Sequence, residues 1–384
     1  MSGHGHSFAR DICADLDGPI VEHALDREHG GDVLACARRA RIDPSEIVDF
    51  SASINPLGPP ASARKAFEKS YKEVMRYPEP YGEDLKEALA KHHEMKPAEI
   101  LVGNGSTQLI YLLCSALRPC KALIVAPAFS EHANALKLTD AKVRFLSLPA
   151  DGSFEFSTEK FIAAWEKDGG IAFLTTPNSI TGQLIPRAEV EKIARIALLE
   201  RRFVVIDEAF IDFVEAESVK QLIRHNPYLI ILRSLTKYYA LPGLRLGYLL
   251  AHSRRVAQFA AYLEPWSVNG PAKKVALACL ADRSFGLKTE RWLRRERNFL
   301  TQALIGLKSF QPYPSSANFL LVRIANNASA VELRSFLLNQ KILIRAFNSF
   351  GGVGVDHFRI AVRRRKDNRR LLEALREWTA RLRP

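Results

Sequence analysis

The sequence has no run of consecutive apolar residues long enough to cross a membrane, so no transmembrane helix is expected. Residues 1–18 carry acids early and lack an apolar signal core, so secretion is not expected either. Cysteine is scarce. The five present are Cys13, Cys36, Cys114, Cys120 and Cys279, odd in number, scattered, and without a Cys-x-x-Cys pair. That pattern excludes a disulfide frame and a zinc site, and fits reduced thiols in a soluble, cytoplasmic protein. His4 and His6 lack further ligands around them, so no metal is expected. Repeats and low-complexity tracts are also missing. Acids are the minority charge, with 42 Asp and Glu against 55 Lys and Arg, a formal net charge of +13. Such an excess can serve nucleic-acid binding. However, the clusters Arg294-Arg295 and Arg363-Arg364-Arg365-Lys366 fall in amphipathic or terminal helix-like segments without a recognition motif. They read as solvated helix faces, and no nucleic-acid partner is expected. A positive field also suits a phosphorylated, anionic substrate.

What is present points to an α/β enzyme. A chain of 384 residues exceeds one ordinary core and suits two lobes. Between about residues 84 and 250, short apolar runs at 100–102, 122–125, 143–148, 171–174, 203–206, 229–232 and 246–250 alternate with helical patterns. One such helix is predicted over 187–200, with Val190, Ile193, Ala194 and Ala197 on one face. Continuous apolar strands separated by amphipathic helices imply a mostly parallel sheet covered on both sides. From about residue 285 a long basic helix, strands near 318–323 and 357–362, and intervening helices suggest a smaller α+β lobe. The expected division is an extension at 1–28, an arm joining the small lobe at 29–64, a large lobe at 65–284 and a small lobe at 285–384.

In an open α/β sheet, ligands gather at the carboxyl ends of the strands, and the chemically suggestive residues follow predicted strands. Lys237 lies just past one, among Ser234, Leu235 and Thr236, with Arg245 eight residues on. A lysine that loses its proton in a low-dielectric pocket can form an imine with an aldehyde, and Ser234, Thr236 and Arg245 could hold an anion beside it. Asp207 ends another apolar run. A carboxylate there is often a cap or an ion-pair partner, but it can also keep a pyridinium nitrogen protonated. Gly103-Asn104-Gly105-Ser106-Thr107-Gln108 is a glycine turn opening a helix, whose free N–H groups can bind phosphate. Gly351-Gly352-Val353-Gly354 has no lysine or helix start after it and reads as a loop.

In order, the chain carries a glycine-rich helix start, the aromatic Phe129 after a strand, Pro177-Asn178-x-x-Thr181-Gly182, Asp207-Glu208-Ala209, Ser234-x-Thr236-Lys237 and Gly243-Leu244-Arg245-x-Gly247. This series resembles the pyridoxal 5′-phosphate (PLP) enzymes of fold type I, the aspartate-aminotransferase superfamily. The resemblance implies a seven-stranded, mostly parallel sheet in a large domain with a smaller α+β domain, and PLP held covalently on Lys237. It further implies that Asp207 partners the pyridinium and Phe129 stacks on the ring. Ser106 and Thr107 give backbone N–H groups to the phosphate, and Ser234, Thr236 and Arg245 complete that cup. Tyr77 reaches the cofactor phosphate of the neighbouring subunit in a homodimer, and Arg359 grips the substrate carboxylate.

The runs His29-Gly30-Gly31-Asp32, Asp49-Phe50-Ser51-Ala52-Ser53-Ile54-Asn55-Pro56-Leu57-Gly58, Phe210-Ile211-Asp212-Phe213 and Ile342-Leu343-Ile344-Arg345 narrow the likeness. They resemble the threonine-phosphate decarboxylase family of cobalamin biosynthesis, whose nearest relatives are the histidinol-phosphate aminotransferases. On that likeness His29, Asn55 and Arg345 contact the substrate phosphate. Ser179 stands where the superfamily has the asparagine that bonds the cofactor's 3′-oxygen, and a serine hydroxyl can still donate one bond. Ile180 replaces a proline, and Phe210 replaces the aminotransferases' tyrosine. Decarboxylation is therefore the expected activity. The alternatives are an aminotransferase acting on histidinol phosphate or another amino acid, and a non-catalytic PLP-fold binding protein.

Overall fold

The computed structural model describes residues 30–151, 153–325, 328–348 and 351–381. A short strand β1 (Val48–Asp49) precedes seven that form one sheet: β2 (Ile100–Asn104), β3 (Lys121–Ala126), β4 (Lys142–Ser147), β5 (Ile171–Thr175), β6 (Val204–Asp207), β7 (Leu229–Ser234) and β8 (Leu246–Ala251). Their order is β2-β8-β7-β6-β5-β3-β4. β3 to β7 pair in parallel, and β8 runs antiparallel to both neighbours. The apolar runs are continuous because successive side chains serve two cores. Ile124, Phe173, Val205 and Ile230 pack on one face, whereas Leu123, Leu174, Ile206 and Ile231 pack on the other. Strand β4 is different. It was expected to be a buried apolar strand, but it is the sheet's outer edge, and Lys142, Arg144 and Phe145 are exposed. An edge strand needs only one covered face, and charge there blocks pairing with another chain.

Beyond the long helix Arg283–Gly306, strands β9 (Phe310–Pro312) and β10 (Phe319–Ile324) are followed by β11 (Ile342–Leu343), β12 (Arg345–Ala346) and β13 (His357–Ala361). Four of them form an antiparallel sheet in the order β12-β13-β10-β9, and β11 pairs in parallel with β1. Leu320, Val322, Phe358 and Ile360 pack one face of the four-stranded sheet on Leu371, Leu375 and Trp378 of the last helix, Arg365–Arg381.

Of the arginines expected to be solvated, Arg294 and Arg295 are exposed, whereas Arg363, Arg364 and Arg365 are tied to the rest of the chain. Arg363 Nη1 donates to the carbonyl of Asp49 at 2.9 Å and Arg364 Nε to that of Pro56 at 2.9 Å, stapling the early arm to the C-terminal helix. Arg365 lies over the Phe299 ring at 3.7 Å and pairs with buried Glu296 at 2.9 Å. Their methylene stems and flat guanidinium groups let them cover apolar surface while donating to carbonyls. Among the described residues, no helix is long and apolar enough to cross a membrane.

Candidate active site

The carboxyl ends of β5, β6 and β7, the start of the helix Gly105–Leu117 and the strands β12 and β13 surround a cleft of about 630 Å³. Lys237, Asp207, Phe129, Ser234, Thr236 and Arg245 line it. So do Ser106, Thr107, Ser179, Arg345 and Arg359.

Lys237 sits in a single helical turn after β7, which Ser234 caps by accepting from the Thr236 N–H. Its Nζ donates to Thr236 Oγ1 at 2.8 Å. Burial pulls the amine down to about 8; Arg245 and Arg359 push the same way, and Asp207 opposes them. Only the neutral amine attacks an aldehyde. The cofactor-free chain is therefore expected to capture pyridoxal phosphate faster as pH rises through about 8, with a plateau above it. A stopped-flow absorbance profile still climbing towards 10.5, an ordinary lysine value, would show that the pocket does not tune this amine.

Asp207 closes β6, is 3% exposed, and accepts from the Ala209 N–H at 3.0 Å. Its other oxygen meets His132 Nε2 at 3.1 Å. A carboxylate can only accept, so Nε2 carries the hydrogen. The His132 ring leans on Phe173 with centroids 5.3 Å apart and meets the edge of Phe129 at 6.0 Å. Sequence reasoning missed this histidine. Its only signal is a place one helical turn after Phe129, at the start of the helix Ser130–Lys137.

The helix Gly105–Leu117 begins with Gly105 at φ +79°, and a Cβ there would meet the Arg245 guanidinium at 2.7 Å. A Cβ on Gly247 of β8 would strike the Ser106 nitrogen. Two missing side chains thus let a helix N-terminus, a guanidinium and a strand close on one small space. Ser234 Oγ and Thr236 Oγ1 lie 2.8 Å apart beside it. Backbone N–H groups, two hydroxyls and an arginine suit a phosphate monoester. With a lysine of lowered pKa and a buried carboxylate alongside, these residues fit PLP.

Arg359 and Arg345 face each other across β13 and β12 as register partners. Arg359 donates to the carbonyls of Ser179 and Ser51, stands over the Phe319 ring at 4.9 Å, and has no acceptor for Nε. Burial, then Arg345, lowers it to about 10, while Asp49 opposes them. Arg345 stands over Phe347 at 5.6 Å. Ser179 Oγ and Ser53 Oγ are buried without a partner, and both residues line the cleft. Ser53, two residues from Asn55, is a second residue the sequence reading passed over.

Asn55 is not brought to the cleft wall. Its side chain donates to Tyr238 O at 2.9 Å and Thr289 Oγ1 at 3.0 Å and accepts from Leu57 N at 3.1 Å, while its backbone N–H donates to Lys237 O at 3.1 Å. It clamps the lysine segment from behind and has no donor left for a ligand. Tyr77 is 84% exposed, with its ring 4.9 Å from Trp266, and does not line the cleft of its own chain. His29 lies outside the described residues.

The sequence profile described as aminotransferase class I and II matches residues 45–375. Threonine-phosphate decarboxylase of Salmonella typhimurium is 38% identical over 350 residues, covering 91% of this chain and 95% of that protein. The histidinol-phosphate aminotransferase of Clostridium acetobutylicum superposes with a TM-score of 0.81 at 28% identity, over 87% of this chain and 99% of that one. L-threonine-O-3-phosphate decarboxylase of Porphyromonas gingivalis does so with a TM-score of 0.77 at 26% identity, over 87% and 100%.

Proposed function

Because the chain belongs to the aminotransferase class I and II family and is a PLP-dependent enzyme, we propose that it decarboxylates L-threonine O-3-phosphate to (R)-1-amino-2-propanol O-2-phosphate in cobalamin biosynthesis. The observation that carries this reading is the pair Arg345 and Arg359. Two cations on neighbouring strands, outside the phosphate cup, match a short substrate with two anionic ends. The 38% identity to a threonine-phosphate decarboxylase supports the same choice.

When bound, PLP supplies a ring that accepts the electron pair of a bond broken at the substrate Cα. Asp207, held by His132, keeps a proton at the ring nitrogen. Phe129 packs on the ring, and Ser106, Thr107, Ser234, Thr236 and Arg245 hold the phosphate. Arg359 holds the substrate carboxylate and Arg345 the substrate phosphate, and together they decide which Cα bond is presented. Lys237 Nζ, hydrogen-bonded to Thr236, holds the proton that Cα takes up once CO₂ has left. Ser179 Oγ, without a protein partner, is free to bond the cofactor's 3′-oxygen. Purified enzyme given threonine phosphate is expected to release CO₂ without forming a keto acid. Keto acid in place of CO₂ would favour the aminotransferase reading, which the likeness to the Clostridium enzyme keeps open.

Arg345→Ala is expected to weaken binding of threonine phosphate by about 2 kcal/mol or more, as for a truncated charged hydrogen bond. Cofactor affinity should hold, because the phosphate cup is untouched. A surface ion pair in this role would cost less than about 1 kcal/mol. Steady-state kinetics with threonine phosphate and with threonine separate the two. An equal effect on both substrates would show that Arg345 does not read the phosphate.

We further propose a homodimer in which Tyr77 serves the partner's cofactor phosphate. Exposed Phe67, Tyr71, Val74, Met75, Tyr77 and Trp266 support this, since apolar residues grouped on a surface mark a contact. Sedimentation should give a dimer at micromolar concentration, and a fully active monomer would overturn the assignment.

A further inference from the structure

We propose that a groove outside the catalytic cleft, between residues 57–61 and the helix Arg283–Gly306, binds a small phosphate-type oxyanion. The groove encloses about 480 Å³ and shares no lining residue with the cleft. Lys288, Arg291 and Arg295 recur at helical spacing, so their cations rise along one face of the helix. Among the described residues, Lys288 and Arg291 have no ion pair or hydrogen bond from their charged groups. Arg295 leans 2.9 Å from Glu296, whose carboxylate is also held by Arg365 at 2.9 Å. Asp282 is the one acid on the wall; its carboxylate accepts from Ser284 and Phe285 as the cap of the helix, and its charge also acts on Lys288 without a direct ion pair.

A second observation is independent of charge. Trp292 lines the groove on the same helical face and is 6% exposed, yet its indole N–H has no acceptor. An indole nitrogen can only donate. Three cations along one wall of the groove, with the buried Trp292 donor beneath them, call for a ligand with several acceptor oxygens. The facing wall, Pro59-Pro60, is a stiff backbone that keeps the groove's shape and leaves the anion to the helix's cations.

The groove also abuts the segment carrying the reactive lysine. Thr289, between Lys288 and Arg291, accepts from Asn55, whose backbone N–H holds Lys237 O. Phe285 on the groove wall stacks on Tyr239 at 5.6 Å. An anion held by the helix beside the 57–61 segment therefore sits next to the elements that fix the lysine backbone.

The test uses holoenzyme and inorganic pyrophosphate, followed by calorimetry and tryptophan fluorescence. The Arg345→Ala variant serves as background, to silence the substrate's own anion site. A saturable site, one per chain, is expected to remain in that background. It should weaken at least about tenfold when Lys288→Ser and Arg291→Ser are added, and its fluorescence response should vanish with Trp292→Phe. Both cations are exposed, so their loss leaves the core intact. Arg295→Ser alone should give a smaller loss. The proposal is overturned if Arg345→Ala removes all pyrophosphate binding, or if the double serine variant binds as well as its parent. It is equally overturned if the serines change sedimentation rather than binding, since the groove would then lie between copies of the chain. None of these readouts depends on the reaction that the cleft catalyses.

Discussion

Lys237→Ala is expected to abolish borohydride-fixed labelling by pyridoxal phosphate and to lower turnover by at least about 10³-fold, within the usual range for loss of a proton-transferring side chain. The effect is large because two functions are lost together. The amine, brought to about 8 by burial, is the group ready to join an aldehyde at neutral pH, and in the proposed reaction it is also the proton carrier beside Thr236. Lys237→Arg separates charge from amine chemistry. A guanidinium keeps the positive charge and the length but stays protonated, so it should be as inactive as alanine. Phosphate contacts remain in both variants, so the cofactor should still bind, reversibly and in an exchangeable form. Peptide mapping of the reduced wild-type enzyme should find the label on Lys237. A label on another lysine, or turnover within about tenfold of wild type in the arginine variant, would refute the assignment.

Arg233→Met is expected to cost about 3–5 kcal/mol of folding stability, the range for breaking a buried ion pair from one side. Arg233 is wholly buried on β7, 2.8 Å from Glu208, 3.5 Å from Asp212 and 2.5 Å from Glu215. Glu208 is itself buried and is otherwise held by Ser218. Taking away the arginine leaves Glu208 and Asp212 in a poorly solvated site, with Lys220, paired to Glu215, as the remaining cation of the network. Burial already raises Asp212 to about 6, against the pull of Arg233. A carboxyl raised in the folded chain favours folding while protonated, below its ordinary value of 3.8, and that contribution is lost as pH rises through about 6. Without Arg233, Asp212 and Glu208, which burial already raises, rise further. The variant's deficit should therefore shrink towards pH 5 and be fully felt near pH 8. Denaturant melts of the cofactor-free chain at both pH values test this. A loss below about 1 kcal/mol, or one that does not change with pH, would show that the network is not holding β6 and β7 together. Adding Glu208→Gln should recover part of the loss, because one of the stranded charges is then gone.

The sheet was legible in the sequence because parallel strands buried on both faces need continuous apolar runs, and amphipathic helices such as Arg187–Leu199 punctuate them. The places of Lys237, Asp207 and the glycine turn in the cleft were legible because they follow from local spacing: a strand end, then a polar group. Residues whose roles depend on distant partners were not. His132 matters only because β6 delivers Asp207 beside it, 75 residues later. Ser53 and Asn55 are two residues apart, yet one faces the cleft and the other turns back to Thr289; which is which depends on the path of an irregular segment. Arg363 and Arg364 look like a solvated basic run until the early arm is laid against them. Strand β4 carries Val143, Phe145 and Leu146, enough to read as an apolar run, but only sheet order reveals an edge.

The pairing of β1 with β11 has a mechanical consequence. The arm is tied to the C-terminal sheet by Phe50 N to Leu343 O at 2.7 Å, by Ala361 N to Phe50 O at 2.8 Å, and by Arg363 to the Asp49 carbonyl. Ser51 carries the carbonyl that holds Arg359, so the arm also sets that side chain. A motion that widened the cleft would have to swing arm, Arg345 and Arg359 together as one rigid lever. Its fulcrum is Asn55, where the same stretch of chain is pinned to Lys237 and Tyr238. If the two arginines hold the substrate as proposed, its pull on them is transmitted to the lysine segment through that pivot of hydrogen bonds.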